Sequence, residues 1–359
     1  MSTGFHPLTI AEIRRETADA ISIRFDVPDA LKPVFAFKPG QHLTLRADLD
    51  GQDVRRNYSL CVAPQEGELR VAIKRVAGGL FSSFANQGLA PGMVMQVMAP
   101  HGAFTWAFDA DASNHYVGFA GGSGITPVLS LLKSALLAEP NSRFTLLYGN
   151  RDSASIIFLE ELAALKDRFM QRLSILHFLE DEEEEVALFN GRLDRAKCAE
   201  LLERRVIPAA DIAAFFICGP GPMMDAVEHS LLESGVARDK VLLERFTIDR
   251  PDAAQAAASA ARAEAAAGAK VVLVLDGRRR SISFDPALGN ILENARAAGL
   301  PAPYACKAGV CATCRAKLVS GTVEMGANYG LTAAEVAAGY ILTCQSVPVG
   351  TDVVVDYDG

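Results

Sequence analysis

Three cysteines, Cys306, Cys311 and Cys314, crowd into the stretch YACKAGVCATCRAKL. Four residues separate the first two, two separate the next pair, and twenty-nine lead on to Cys344. Thiols this close are a liability unless something holds them. The spacing is the plant-type pattern for a [2Fe–2S] cluster, in which two sulfide-bridged irons take four thiolates. A tight loop supplies three of them only if its backbone bends sharply. Ala305, Ala308, Gly309 and Ala312 are small enough to allow the bend. They also let backbone N–H groups approach the cluster sulfurs, which tunes the potential. The fourth ligand can come from far along the chain if it is rigidly placed, and YILTCQSVPV reads as a strand that places it. A structural zinc site pairs its ligands as two short C-x-x-C-like units, and only one such pair is present. Cys61, Cys198 and Cys218 read first as packing residues.

Two glycine-rich turns offer a second chemistry. FAGGSGITPVLSLL puts Gly121, Gly122 and Gly124 at a strand-to-helix junction, where backbone N–H groups and a helix N-terminus favour a pyrophosphate. Pro127 suits the first turn of that helix but stands where the usual dinucleotide fingerprint has its final glycine. In FFICGPGPMMDAV a strand ends in Cys218 and Gly219 before a helix starts. Strand ends facing a crevice are where cofactors bind in open sheets. Each turn alone could be purely structural; together they are more specific. RRNYSL, residues 55–60, places an arginine, an aromatic ring and a hydroxyl close along one strand. Arg56 suits a phosphate, Tyr58 offers a flat face and Ser59 a small hydrogen-bonding group. Alone it would pass for an amphipathic strand with an exposed tyrosine. GGLFSSF adds Gly78, Gly79, Ser82 and Ser83 as a second place for phosphate oxygens.

The elements that must position these groups follow from periodicity. Residues 8 to 107 alternate roughly in period two between Gly and Pro breaks, which predicts an antiparallel barrel or sandwich. After about residue 110, strands alternate with helices: HYVGFA, RFTLLYGN, RLSILHFLE, AAFFICG and KVLLERF against PVLSLLKSALL, FLEELAALKDRF and PMMDAVEHSLLESG. That order implies a parallel sheet covered on both sides. Residues 250–269 are mostly alanine and read as a linker, partly helical or mobile. Beyond them KVVLVLDGRRRSISF looks like a hairpin and LGNILENARAAG like a helix.

The chain has 359 residues, enough for two or three cores, and half are hydrophobic. A net charge of −8 argues against nucleic acid as a partner. No apolar run is long enough to span a membrane, and the start lacks the pattern of a signal peptide. A reducing cytoplasm is therefore expected, where clustered cysteines bind metal more often than they form disulfides. The acidic run Asp181–Glu185 reads as a solvated loop.

Taken in order, RRNYSL, GGLFSSF, GGSGITP, CGPGPM and the four cysteines resemble the ferredoxin–NADP reductase superfamily with a plant-type ferredoxin domain fused at the C-terminus. The resemblance covers nearly the whole chain. It implies an FAD-binding antiparallel β-barrel over 1–108, an NAD(P)H-binding α/β parallel-sheet domain over 109–249, the linker over 250–269, and an α+β (β-grasp) ferredoxin domain over 270–359. Carried over by position, Arg56 would hold the flavin pyrophosphate, Tyr58 would stack on the isoalloxazine and Ser59 would sit near its N5. Gly79 and Ser82 would line the phosphate side. Gly122, Gly124 and Thr126 would contact NAD(P)H phosphates, and Cys218, beside Gly219, would lie at the hydride-transfer point. Phe246 would close over the flavin edge, and Cys306, Cys311, Cys314 and Cys344 would ligate the irons. In YGNRDS, Arg151 with Ser153 leans towards NADPH, while Asp152 leaves NADH open.

NAD(P)H gives up two electrons as a hydride, and a [2Fe–2S] cluster takes one. A flavin handles both, so it belongs between them. A flavin domain first and a ferredoxin domain last is typical of oxygenase reductases, whose partner is an oxygenase component. LYGNR, CGPGPMM, LLERF and YACKAGVCATC look nearest to the reductase subunits of phenylacetyl-CoA epoxidases. The electron path would be the same for a reductase of another hydroxylase or a desaturase. A non-enzymatic iron–sulfur redox sensor is a reading of a different class, and the paired nucleotide motifs argue against it. Lys307 and Arg315 flank the cluster and could orient docking or be solvated charges. The linker could let the ferredoxin domain shuttle while staying at high local concentration.

Overall fold

In a computed structural model the described residues are 4–246 and 253–359. The first part is a six-stranded antiparallel sheet made of β1 (Phe5–Thr17), β2 (Ala20–Asp26), β3 (His42–Leu49), β4 (Gln52–Ser59), β5 (Leu69–Lys74) and, after helix α1 (Leu80–Gly88), β6 (Val94–Met98). The order is β4-β3-β6-β1-β2-β5. A bridge between Leu60 and Val71 joins the two ends, so the sheet closes as a barrel. Period-two alternation drives this: Leu8 and Ile10 are buried while Thr9 between them is exposed. Leu43, Leu45, Val71 and Val97 fill the interior.

The second part is a parallel sheet. Its elements are β7 (His115–Gly121), α2 (Ile125–Ala138), β8 (Arg143–Asn150), α3 (Leu159–Arg168), β9 (Leu173–Leu179), α4 (Arg195–Glu203), β10 (Ala214–Cys218), α5 (Gly221–Glu233) and β11 (Val241–Glu244). The strand order is β11-β10-β7-β8-β9. Both faces are covered: Tyr116 and Ala120 of β7 pack into one core, Val117 and Phe119 into the other. Such strands read as continuous apolar runs. The chain leaves β7 towards β8 on one side and later fills β10 on the other, so the crevice opens at the ends of β7 and β10. Both glycine-rich turns lie at those two ends.

The barrel and this α/β part form one compact unit up to Phe246. Helix α2 joins them and is buried almost all round. Ser130 Oγ donates to the Val62 carbonyl at 2.7 Å, and the Gly40 N–H donates to Ser130 Oγ at 3.3 Å. Lys133 is buried and meets Glu66 of the barrel part at 3.2 Å and Glu161 of α3. Burial alone would lower the Lys133 pKa, but the two carboxylates hold it above the usual lysine value.

The second unit begins after Phe246. Residues 250–252 of the expected linker lie outside the described ones. From there the chain forms α6 (Ala253–Ala265), β12 (Lys270–Leu275), β13 (Arg278–Ser283), α7 (Ile291–Ala297), β14 (Arg315–Met325), α8 (Ala333–Ala337), β15 (Tyr340–Leu342) and β16 (Ser346–Asp356). The sheet order is β13-β12-β16-β14-β15, with β12 and β16 parallel and α7 packed on the sheet's core, a β-grasp arrangement. Ala263, Ala266 and Ala269 are buried in this unit's core. The end of the alanine-rich stretch is therefore part of the ferredoxin fold, because small side chains let the helix end approach closely. No helix among the described residues is long and apolar enough to cross a membrane.

Replacing Lys133 by alanine leaves two carboxylates facing each other beneath α2. Both are about a third exposed and stay partly hydrated. The expected loss in stability of the first unit is therefore about 2 kcal/mol, below that of a fully buried pair. A urea melt followed by circular dichroism, with unchanged slope and a lower midpoint, checks it.

Candidate functional site

The cysteine loop bends as its small residues allow. Lys307, Gly309 and Ala312 all take positive φ, at 55°, 76° and 53°. Two of the three carry a Cβ, so the loop stores strain that the surrounding fold must hold. A Cβ on Gly309 would stand 2.6 Å from the Ala327 carbonyl oxygen, and one on Gly330 would stand 2.7 Å from that of Val310. The Gln345 side chain donates to the Lys307 carbonyl at 3.1 Å. The Thr343 hydroxyl donates to the Cys314 carbonyl at 2.9 Å. Backbone N–H groups do approach sulfur: Ala308 and Cys311 reach Cys306 Sγ at 3.3 and 3.4 Å, and Cys306 reaches Cys311 Sγ at 3.5 Å.

The four sulfurs form two pairs. The neighbouring Cys311 sulfur and then burial push the Cys306 thiol up. The Cys344 sulfur and then burial do the same to Cys314. A two-iron cluster takes two thiolates per iron, and the spacing of these four cysteines suits it. Cys311, Cys314 and Cys344 are buried and Cys306 is half-buried. One local expectation differs from the structure. Cys344 lies not on a strand but in the tight turn between β15 and β16. The pairing of β15 with β14 ends at Leu342, opposite Arg315, and Cys344 falls just beyond it.

In the barrel, β4 carries the RRNYSL residues. Arg56 is exposed, donates to the Arg55 carbonyl at 2.8 Å and makes no ion pair among the described residues. Tyr58 is half-buried against Phe81, with ring centroids 5.7 Å apart, and burial pushes its phenol up. Ser59 is buried with a hydroxyl that has no partner. A buried orphan hydroxyl is a group waiting for a ligand atom. At α1 the placement is less direct. Ser82 Oγ is already engaged by the Val76 N–H and the Gly79 carbonyl. Ser83, next to it, is the serine that lines an open pocket with Gly78, Gly79, Asp48 and Asp50.

At the crevice the glycines divide into two kinds. A Cβ on Gly124 would lie 2.1 Å from the Cys218 carbonyl oxygen, and one on Gly219 would lie 2.9 Å from the Gly121 nitrogen. These glycines are needed for the two turns to touch. Gly122 has φ +51° and a Cβ there would meet only Lys74 Nζ, at 3.8 Å. That open cradle beside a lysine suits a phosphate. Thr126 is buried and its hydroxyl donates to the Ser123 carbonyl at 3.0 Å. Cys218 is fully buried, and burial followed by the Glu244 charge pushes its thiol well up. It is therefore a neutral thiol, not a nucleophile. Arg151 is exposed and held by Asp152 at 2.9 Å, with Asp181 at 3.9 Å. Glu182 accepts from both the backbone N–H and the hydroxyl of Ser153. Phe246, the last described residue of this unit, is exposed.

Sequence reading missed four residues here. Lys74 faces Gly122 from the barrel. Asn150 is buried at the end of β8 with both side-chain amide atoms unpartnered. His42 and Glu244 face each other at strand ends, 3.5 Å apart. Asn150 lies in LYGNR and Glu244 in LLERF, but neither was singled out there, and only the fold brings all four to the crevice.

A closed antiparallel barrel, a parallel sheet with a glycine crevice and a β-grasp unit with paired cysteines together define a modular flavin and iron–sulfur oxidoreductase. Family models agree: an oxidoreductase FAD-binding domain matches residues 7–106, an oxidoreductase NAD-binding domain 119–229, and a 2Fe-2S iron-sulfur cluster binding domain 273–349. The chain is 42% identical to a subunit of the 1,2-phenylacetyl-CoA epoxidase of Escherichia coli (strain K12), over 99% of this chain and 98% of that one. It is 37% identical to the ferredoxin reductase component of 3-ketosteroid-9-alpha-monooxygenase of Rhodococcus rhodochrous, over 95% and 94%. Among solved structures, phthalate dioxygenase reductase is similar with TM-score 0.61 and 26% identity, over 98% of both chains. The chain belongs to the family of three-domain FAD, NAD and [2Fe–2S] oxidoreductases that these reductase components represent.

The residues present fit all three groups: an orphan hydroxyl and an unpaired arginine on β4, a glycine cradle at the crevice, and two sulfur pairs. With its cofactors bound, the site supplies hydride transfer from NAD(P)H to FAD and one-electron transfer to the cluster. The chain's own residues bind, orient and shield.

Replacing Cys344 by serine should cut bound iron from about two per chain to near zero, with flavin content unchanged. Replacing buried Cys198 by serine should leave iron in place. Colorimetric iron and flavin assays on oxygen-free preparations distinguish the two.

Proposed function

We propose that this protein is the NADPH-dependent reductase component of a multicomponent oxygenase. Its partner in this reading is a phenylacetyl-CoA epoxidase acting in phenylacetate catabolism. The observation that carries the reading is similarity along the whole length to the Escherichia coli epoxidase component, through all three domains and not the cofactor domains alone. The similarity to the Rhodococcus rhodochrous component favours a second reading, a steroid-type monooxygenase partner, at somewhat lower identity.

In the favoured reading the FAD domain is residues 1–108, the NAD(P)H domain 109–249 and the ferredoxin domain 270–359, the last joined in its core by Ala263, Ala266 and Ala269 of the stretch before it. Arg56 holds the flavin pyrophosphate, Tyr58 covers the ring and Ser59 meets its N5 edge. Gly79 and Ser82 shape the phosphate side through backbone rather than hydroxyl. Gly122, Gly124, Thr126 and Gly219 form the NADPH phosphate turn, Cys218 backs the nicotinamide and Phe246 covers the flavin edge. The irons take Cys306, Cys311, Cys314 and Cys344. None of the seven cysteines is in a disulfide, which supports a reducing compartment in this reading.

Arg151 reads the 2′-phosphate of NADPH in this account, after leaving Asp152. Replacing it with alanine should raise KM for NADPH about tenfold and leave KM for NADH within about twofold. Steady-state reduction of an artificial acceptor measures both. For the partner, the test combines purified reductase, oxygenase component and phenylacetyl-CoA. NADPH consumption matched by epoxide formation supports the reading. Consumption matched only with a steroid monooxygenase component supports the second one.

A further inference from the structure

His42 opens β3 and is the register partner of Ser59, the last residue of β4. Residues directly opposite in an antiparallel pair point to the same face. The His42 side chain is 4% exposed, and neither ring nitrogen has a hydrogen-bond partner. Its backbone is pinned: the His42 N–H donates to the His101 carbonyl at 2.9 Å, and the His101 N–H returns the bond at 3.0 Å. The His101 ring stands edge-on at 4.2 Å. Gly102, at φ +126°, leaves the space; a Cβ there would lie 2.9 Å from His42 Nδ1. The facing charge is Glu244 Oε1, 3.5 Å from Nδ1. Glu244 ends β11 and is the register partner of Cys218.

These residues form one row from the barrel to the nucleotide sheet: Ser59, His42, Glu244, Cys218. A histidine kept for packing alone is the bland alternative. A phenylalanine would fill the same space without burying two unmet nitrogens, which is costly. We propose that His42 is a positioning residue: it fixes the Glu244 carboxylate where the flavin and nicotinamide groups meet, linking the two domains at that point. Nδ1 carries the proton towards Oε1. An approach of about half an ångström turns the contact into a hydrogen bond of ordinary length. The other titratable groups here are the His101 ring beside His42 and the Cys218 thiol beside Glu244. The inference rests on the reductase reading above.

The test uses the full flavin- and iron-loaded protein in five forms: wild type, His42→Ala, His42→Gln, Glu244→Ala and the His42→Ala/Glu244→Ala double variant. Two quantities are read. One is the limiting rate of flavin reduction by NADPH in anaerobic stopped flow, with its KM. The other is the long-wavelength absorbance of nicotinamide stacked on flavin when NADP+ is added to the reduced protein. His42→Ala should lower the limiting rate about tenfold or more and change KM less than about twofold. It should also weaken the long-wavelength band. His42→Gln, whose amide N–H can still reach the carboxylate, should recover most of both. In the Glu244→Ala background, removing His42 should have little further effect. Independent, multiplying effects of the two substitutions overturn the proposal. So does a His42→Gln form that holds its flavin yet is reduced about tenfold or more slowly than wild type; this arm is read against wild type and stands even if the alanine form loses its flavin. If NADPH fails to reduce the wild type, the reductase reading itself falls and takes the proposal with it. If the wild type is reduced and the variants match it, only the role of His42 falls.

Discussion

Four sulfurs must be held close together with little besides backbone to do it. Negative charge on one thiolate opposes charge on the next, and burial opposes both. The loop meets this by donating N–H groups to Cys306 and Cys311 and by passing Lys307 and Ala312 through left-handed backbone. Gly309 and Gly330 then admit a neighbouring carbonyl where any side chain would clash. Protonation relieves that repulsion, and so would metal bound by the thiolates. The β-grasp core beneath the loop, including the buried alanines that follow α6, serves to keep this arrangement rigid.

The same economy of side chains governs the crevice of the first unit. Gly121, Gly124 and Gly219 bring two turns into backbone contact at the point where the strand order reverses. Helix α2 carries that junction against the barrel through Ser130 and Lys133. The barrel's contribution, Ser59, and the sheet's contribution, Cys218, thus belong to one rigid frame. Redox chemistry of this kind needs no acid–base dyad. It needs donor and acceptor groups held at fixed separation, and Ser59, Gly121, Gly124 and Cys218 are buried here.

Much of this was legible in the sequence because it is local. The cysteine spacing, the glycine turns at strand-to-helix junctions and the period of each segment depend on neighbours a few residues away. The roles of single side chains were less legible. Ser82 and Thr126 have the right hydroxyls, yet each is engaged by its own turn. Gly124 reads as a phosphate contact, and its missing Cβ also makes room for the Cys218 backbone. Cys344 sits in a turn because the pairing of β14 and β15 stops at Leu342. The roles of Lys74, Asn150, His42 and Glu244 could not be read from LYGNR, LLERF or any other stretch, since these residues reach the crevice only when barrel and sheet are assembled. The alanine-rich stretch read as a linker because alanine is small, and that smallness is also what lets its end enter a core.

The central claim is that electrons pass from a hydride donor through flavin to the paired cysteines' iron. The most direct measurement is rapid anaerobic mixing of the complete protein with one equivalent of NADPH, followed by absorbance at flavin and cluster wavelengths. The account predicts that flavin bleaches first and the cluster follows, with the cluster phase lagging at every temperature tried. A cluster that bleaches at or before the flavin, or a protein that holds both pigments and shows no change, would contradict it.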